Sequence, residues 1–575
     1  MLMKSAAAAI APHLPSITAE QLLGMLEVPP KREMGDVCLP CFTFAKTLRQ
    51  SPQMIAERLA GQVNSGGGNG EEAFGGGIRA SAIGGYLNLF FADAHWKSDI
   101  VEAALEEGYG LSAVGQDKRV VIDMSSPNIA KPLGIGHLRS TMIGNALVNL
   151  YRATGYKAEN VNHLGDWGTQ FGKLIVAYRR WGTREALESE PIKESLRLYV
   201  KFHEEIEREP GLEDEAREAF ANLENGDDET RRLWQYFVDE SMKEFHRVYA
   251  RLGVKFDHYL GESFYNDKID GVVSALREQA LLEESDGAQV VRLEELGLPP
   301  CIILKKDGST IYGVRDLATA IYRKQEMHAD EILYVVGAEQ SLHFRQVFAV
   351  LEKMGHSWAE ECRHVPFGLM TVNGKKMSTR KGKVVFLEEV LDEAVERALQ
   401  IILEKSPELK DKEKVAKAVG VGAVIFGDLK HHRQLSVDFN LEDAVSFDGE
   451  TGPYLQYTHA RIRSLLARGN YSVLGDSYSV NGSHLASEST WECAKTLSRY
   501  ETVLQEAVKD NEPFVVARYL LDLAKDFNRF YNSGKILTAD ADKAVVFSQL
   551  SLAAAVANVL SHGLAMLGIE APQEM

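Results

Sequence analysis

Residues 119–165 read RVVIDMSSPNIAKPLGIGHLRSTMIGNALVNLYRATGYKAENVNHLG. RVVID is a short apolar run rich in β-branched residues and predicts a strand. A loop punctuated by Pro127, Pro132, Gly134 and Gly136 follows. A helical stretch then begins at His137 or Leu138 and runs to Gly155, after which YKAENVN resumes strand character. This is a βαβ unit. At the carboxyl end of such a strand the helix start offers unpaired N–H groups and a partial positive charge, which suits the phosphates of a nucleotide. Gly136 lets a ligand approach the backbone closely. Taken alone, the same turn also reads as an ordinary loop whose His137 caps a helix.

Working outward, strand and helix patterns alternate again in CIILKKDG, STIYGVRDLATAIYRK, EILYVVGAEQSLHFRQVFAVLEKMG and HVPFGLM. The economical solution is an α/β fold, a Rossmann-like doubly wound parallel sheet over residues 113–385. Residues from about 180 to 295 are charged and helical and predict an insertion on the sheet's edge. Residues 1–112 predict an α+β module, opening on an amphipathic helix and carrying a Gly-rich tract before the strand GGYLNLFFA. A helical junction is expected over 386–440 and a helix bundle over 441–575.

The chain has 575 residues, which implies two to four domains. No uninterrupted apolar stretch reaches the roughly 18 residues a bilayer span needs, so no membrane role is expected. Five scattered cysteines fit a reducing compartment, and the cytoplasm is the expected location. Cys38 and Cys41 are spaced like half a zinc ribbon, but no second pair follows at ribbon spacing, which favours buried thiols. The formal charge of −18 argues only against indiscriminate nucleic-acid binding, because a specific RNA site needs local basic grooves.

A second signal is Lys375-Lys376-Met377-Ser378-Thr379-Arg380-Lys381-Gly382-Lys383, rich in cations and free of acids. Such a loop can neutralise charge developing on a triphosphate, although basic loops also occur on ordinary surfaces. Together, Gly134-Ile135-Gly136-His137 and Lys376-Met377-Ser378-Thr379-Arg380 resemble the paired HIGH and KMSKS signatures of class I aminoacyl-tRNA synthetases. SSPNIAKP with GHLRST, NHLGDWGTQFG, RDLATAIYR, YVVGAEQSLHF, MSTRKG and FDGETGPYLQYTHARIRSLL are similar to the arginyl-tRNA synthetase family, over the whole chain.

The resemblance implies an arginine–tRNA ligase: activation of L-arginine by ATP, with Mg2+, to arginyl-adenylate and pyrophosphate. Transfer to the terminal adenosine of an arginine tRNA follows, and the first step requires bound tRNA. It implies a monomer with no resident protein metal site, a C-terminal bundle that reads the anticodon, and an N-terminal module that touches the outer corner of the tRNA. His137, Lys131 and Lys376 match catalytic positions, and Gly134, Gly136, His137, Lys376, Met377 and Ser378 match the ATP site. Asp123, Ser126, Asn128, Tyr312, Asp316 and Gln340 match the arginine pocket. Tyr312 and Asp316, four apart, share a helix face, where a ring and a carboxylate can meet a guanidinium. Asp316 also reads as a surface acid paired with Arg315 or Lys324. Tyr531 and Met575 match anticodon contacts, with Phe530 and Tyr531 as bundle core the alternative. Tyr454, Tyr457, His459 and Arg461 suggest a further RNA face. Asp166, Trp167 and Gln170 match a signature beside the site, where Trp167 reads equally as a packing plug. His163 is open between the same two roles. Gly134 stands where the first signature His would be and Thr379 where the second Lys would be. A nucleotidyltransferase shares the strand, turn and helix but has a far shorter chain and no bundle; a catalytically silent descendant is the third reading.

Overall fold

The computed structural model describes residues 1–65, 77–306, 312–372, 385–475 and 477–575. The Gly-rich tract at 66–76 and the basic loop at 373–384, with Lys376, Met377 and Ser378, therefore lie outside the described residues.

Strand Arg119–Asp123 is central in a parallel sheet ordered Cys362–His364, Glu331–Tyr334, Arg119–Asp123, Lys157–Asn162, His258–Tyr259. Alternation sorts its side chains. Val120, Ile122 and Leu333 face one core layer, and Val121, Ile332 and Tyr334 face the other. Both faces are covered, as parallel sheets require. The helix after the central strand, Ile135–Ala153, lies between the sheet and C-terminal helices, which explains its nearly continuous burial. Chain order reverses between Arg119–Asp123 and Glu331–Tyr334, so the carboxyl ends of these strands form the switch-point crevice where ligands bind in such folds.

Two details differ from the sequence reading. His258–Tyr259, inside the expected insertion, returns to the main sheet as a two-residue edge strand, too short for any periodicity to register. Cys301–Leu304 does not join the parallel sheet; it pairs antiparallel with Ala288–Val291, which in turn pairs with Glu283–Ser285. An apolar tetrapeptide carries no information about which sheet it enters.

The charged region does form helices, including Pro191–Glu205, Leu212–Glu224 and Asp228–Leu252. The N-terminal module has an antiparallel sheet, Val37–Pro40, Tyr86–Phe91 and Ile78–Ile83. It docks on C-terminal helices, through Lys97 Nζ to the Leu485 carbonyl and the terminal amine to the Ser498 carbonyl. After Leu387 the described chain is mainly helical, with caps such as Thr451, Ser487 and Asp542 receiving backbone N–H groups. Helix Lys543–Met566 is apolar and long enough to cross a bilayer, and most of it is buried inside the protein.

Gly368 packs tightly on the chain after helix Lys412–Leu429, because a Cβ there would lie 2.5 Å from the Leu435 carbonyl oxygen. Gly368→Ala is expected to destabilise the chain by about 1–3 kcal/mol through overpacking. A lowered thermal midpoint checks this, and an unchanged midpoint contradicts it.

Candidate active site

Beyond Asp123 the chain turns sharply: Ser125, Ser126 and Ala130 all have positive φ, 72°, 50° and 59°. Three such non-glycine residues cost about 1–3 kcal/mol each and persist only where the surroundings fix them. Here Ser140 Oγ accepts the Ser125 N–H at 2.9 Å and donates to the Val335 carbonyl at 2.7 Å, joining the two strands at the switch point. Ser125 Oγ meets Tyr249 Oη at 2.7 Å, Ser126 N–H donates to Asn162 Oδ1, and Ala130 N–H donates to Ser241 Oγ. Asn128 is held beside Gly165 by the bonds Ile129 N–H to Gly165 O and Gly165 N–H to Pro127 O. Lys131 lies with its ammonium 4.8 Å from the Tyr199 ring.

Gly134 caps the helix, and its N–H donates to His137 Nδ1 at 3.1 Å. Nδ1 also lies 3.3 Å from the Gly134 carbonyl, and in the tautomer that accepts from the Gly134 N–H it is Nε2 that carries the proton. Burial, aided by the Lys131 cation, pushes the imidazole below its ordinary pKa and keeps it neutral. Gly136 is exposed at the first turn.

The basic loop lies outside the described residues, but its two flanks do not. Gly134 forms an antiparallel bridge with Phe386, reinforced by Ile135 N–H to Val385 O and Leu387 N–H to Leu133 O at 3.1 and 2.9 Å. On the other side, Met370–Val372 follows Phe367, whose carbonyl accepts the Ala338 N–H beside the Glu331–Tyr334 strand. The residues after the loop thus bridge the turn, while the strand before it pairs with Val437–Phe439.

Opposite the turn, the walls are acidic. Asp316, on helix Tyr312–Gln325, is 2.5 Å from His343 Nε2. The alternative partners are taken elsewhere: Lys324 by Glu361, and Arg315 toward Glu262 and Asn266. Tyr312 begins the same helix, one turn before Asp316, with its side chain outside the description. Gln340 is exposed at the start of helix Ser341–Lys353. Asp123 is buried with internal partners: Arg323 Nη2 donates to one oxygen at 2.7 Å and Ser126 Oγ to the other at 2.9 Å. Half-buried His163 binds the Leu260 carbonyl, and burial lowers its pKa; its surroundings include Asp123, Asp316 and Asp166.

Two features were not singled out from the sequence. Glu262 sits beside Arg315, and burial, with Asp166 and Asp316 nearby, raises its carboxyl to about 7. Arg323 is wholly buried behind Asp123, its guanidinium 5.2 Å from the Tyr334 ring. The signal for Arg323 was its position, seven residues and two turns beyond Asp316 on one face. Glu262 follows a two-residue strand and carried none. Asp166 accepts from the Ser263 N–H and hydroxyl, and Trp167 packs edge-on against Trp234 and Phe220 as a plug.

In the C-terminal helices, Arg461 lies between the rings of Tyr457 and Tyr531, at 5.0 and 5.5 Å. Tyr457 is exposed and Tyr531 half-buried. His459, expected on this face, is buried instead and bonded to the Pro572 carbonyl at 2.9 Å. It pins the C-terminal tail, together with Gln456, which donates to the Glu570 carbonyl. Four residues of an i, i+3, i+5, i+7 set span too wide an arc to share one surface. Met575 ends the tail, packed among Ile402, Val419 and Phe447.

A parallel sheet with a glycine-histidine turn at its switch point, bridged by the residues that follow the basic sequence, and a C-terminal helical part defines a class I aminoacyl-tRNA synthetase. The family described as "tRNA synthetases class I (R), catalytic domain" matches residues 100–441. "DALR anticodon binding domain" matches 455–575, and "Arginyl tRNA synthetase N terminal domain" matches 3–91. Arginine–tRNA ligases of Alkaliphilus metalliredigens and Clostridium beijerinckii are 46% and 48% identical, covering 98% and 97% of this chain and the same shares of theirs. The Thermus thermophilus arginyl-tRNA synthetase structure superposes with TM-score 0.84 at 27% identity over 100% of both chains. The Plasmodium falciparum enzyme shares the fold, with TM-score 0.79 at 24% identity over 99% of this chain and 97% of that one. The chain belongs to the arginine–tRNA ligase family.

Proposed function

We propose that the chain activates L-arginine with ATP and transfers it to the terminal adenosine of an arginine tRNA, with activation dependent on bound tRNA. The observation that carries this reading is the Gly134–Phe386 bridge, which brings the chain just after the basic sequence against the nucleotide turn. The arginine carboxylate attacks the α-phosphorus of ATP, forming the mixed anhydride and breaking the bond to pyrophosphate. Charge grows on the non-bridging oxygens and the leaving group, so fixed donors aimed there lower the barrier most. In this reading Gly134 and Gly136 leave room for the phosphates at the helix start. His137 Nε2–H and Lys131 donate to them, and Lys376, Met377 and Ser378 approach from the basic loop. Magnesium arrives as the ATP complex and is held chiefly by the phosphates and water.

Arginine binds with its guanidinium toward Asp316 and Glu262, flanked by Tyr312, and its backbone end toward Ser126, Asn128 and Gln340. Asp123 supports this end through its bond to Ser126. Glu262 must be ionised to pair with the guanidinium, so arginine binding takes a proton off it. The KM for arginine is therefore expected to fall as pH rises through about 7. Glu262→Gln should abolish that dependence, whereas a KM that rises over this range contradicts the assignment.

RNA bases stack on Tyr531 and on the exposed Tyr457, with Met575 alongside, and the N-terminal module meets the outer corner of the tRNA. Tyr531→Ala is expected to weaken tRNA binding by about 1–3 kcal/mol while leaving arginine and ATP KM unchanged. Unaltered tRNA affinity assigns Tyr531 to packing alone. The domain limits 1–112, 113–385, 386–440 and 441–575 are part of this proposal, as are a monomeric state, a cytoplasmic location and no membrane role; the five buried, unpaired cysteines accord with the location.

The test is pyrophosphate exchange with arginine and ATP, run with and without an arginine tRNA transcript. Exchange that needs the transcript supports the reading. Full exchange without it contradicts tRNA dependence, and no exchange under either condition favours a silent descendant.

A further inference from the structure

Arg139 lies two residues after His137, on the same helix, and is 1% exposed. Its guanidinium reaches three separate stretches of chain. Nη1 donates to the Gly368 and Leu435 carbonyls, each at 2.7 Å, and Nη2 to the Arg433 carbonyl at 3.2 Å. Nε is 2.9 Å from Asp428 Oδ1, on a fully buried carboxylate, and the Phe367 ring lies 5.9 Å from the guanidinium carbon. Gly368 begins the approach to the basic loop. Asp428 is in the last turn of helix Lys412–Leu429, and Arg433 and Leu435 follow it.

The chain of contacts continues into the C-terminal helices. Arg433 donates through Nη1 to the Pro366 carbonyl at 2.6 Å and through Nε to the Asn511 carbonyl at 3.0 Å, and its N–H donates to Glu512 at 3.2 Å. Asn511 Oδ1 accepts the Tyr151 hydroxyl at 3.0 Å, and Tyr151 belongs to the far end of the His137 helix. Both ends of that helix are thus tied, through polar groups, to residues 428–435 and 511–512.

A buried ion pair is weak evidence for stability, because desolvation offsets its attraction, and an apolar pair holds a fold as well. What polar ties supply is discrete geometry. The Arg139–Asp428 contact, 2.9 Å between two buried charges, fixes the helix of His137 against the end of helix Lys412–Leu429.

We propose that the Arg139–Asp428 pair, extended by Arg433 to Asn511 and Glu512, is the positioning link between RNA held on the C-terminal helices and the active site. Through it, the bound RNA sets the His137 turn and the approach to the basic loop. These residues act through His137 and touch no substrate. The inference rests on the arginine–tRNA ligase reading.

The experiment uses the full chain and an arginine tRNA transcript, measuring tRNA Kd, arginylation kcat and the KM values for arginine and ATP. Asp428→Asn keeps the shape and removes the charge. It is expected to lower kcat about tenfold or more, with tRNA Kd and both KM values within about threefold, the scale of an ordinary coupling free energy. Arg139→Lys combined with Asp428→Asn should be no slower than the slower single variant, since both changes cut one link. A kcat within twofold of the parent, a loss carried wholly by KM or Kd, or additive losses would each overturn the proposal. Should Asp428→Asn fail to fold at the assay temperature, Arg433→Lys carries the same expectation from a less buried site. A parent chain that does not arginylate tRNA overturns the ligase reading and this inference with it; an active parent with an equally active variant overturns the inference alone.

Discussion

Asp316→Ala is expected to raise the KM for arginine by about 100-fold or more while the KM for ATP stays within about threefold, because removing one partner of a desolvated charge pair costs about 2–5 kcal/mol. The effect is large because a planar cation must exchange its water for acceptors fixed around it, and Asp316 is a partly buried acid bonded through one oxygen to His343. His343 holds one carboxylate oxygen, leaving the second for the substrate. Asp316→Asn separates charge from shape: the amide retains one acceptor, so its loss should approach that of alanine if charge dominates. Equal losses for arginine and ATP would place Asp316 outside the guanidinium site.

His137→Ala is expected to lower kcat by about 10²–10³ with little change in arginine KM, the usual cost of removing one donor from a developing oxyanion. The ring is held against Gly134 through Nδ1, and burial keeps it neutral. It therefore contributes a directed N–H and no net charge. His137→Gln, which restores an N–H at similar reach, should recover part of the rate. A loss confined to ATP KM would instead make His137 a binding group used equally in ground and transition states.

The strand, turn and helix at 119–165 were legible because two independent signals coincide there: β-branched apolar residues, and Gly and Pro punctuation. The helix's nearly continuous burial was not, since polar residues such as Arg139, Ser140 and Asn145 are spread along it and find their cover only between the sheet and the C-terminal helices. Cys301–Leu304 was misplaced because a short strand is assigned to a sheet by distant partners alone. Arg139 was visible as a charged letter inside the helix, yet only the fold reveals that it reaches Asp428 and the carbonyls of 368, 433 and 435. Glu262 had no local pattern to betray it; its significance is the company of Asp166 and Asp316, which are far away in sequence. His459 had the right neighbours and the wrong face, because its carbonyl partner is in the last few residues of the chain.

The central claim is that one crevice receives both the nucleotide and the arginine, bounded by the glycine-histidine turn and the Val385–Phe386 segment that bridges it. A crystal structure of the chain with a non-hydrolysable arginyl-adenylate mimic tests it most directly. The account predicts the phosphate surrogate between the start of helix Ile135–Ala153 and Val385–Phe386, with the guanidinium against Asp316 and Glu262. A mimic bound away from the carboxyl ends of Arg119–Asp123 and Glu331–Tyr334, or with its guanidinium clear of both acids, would contradict it.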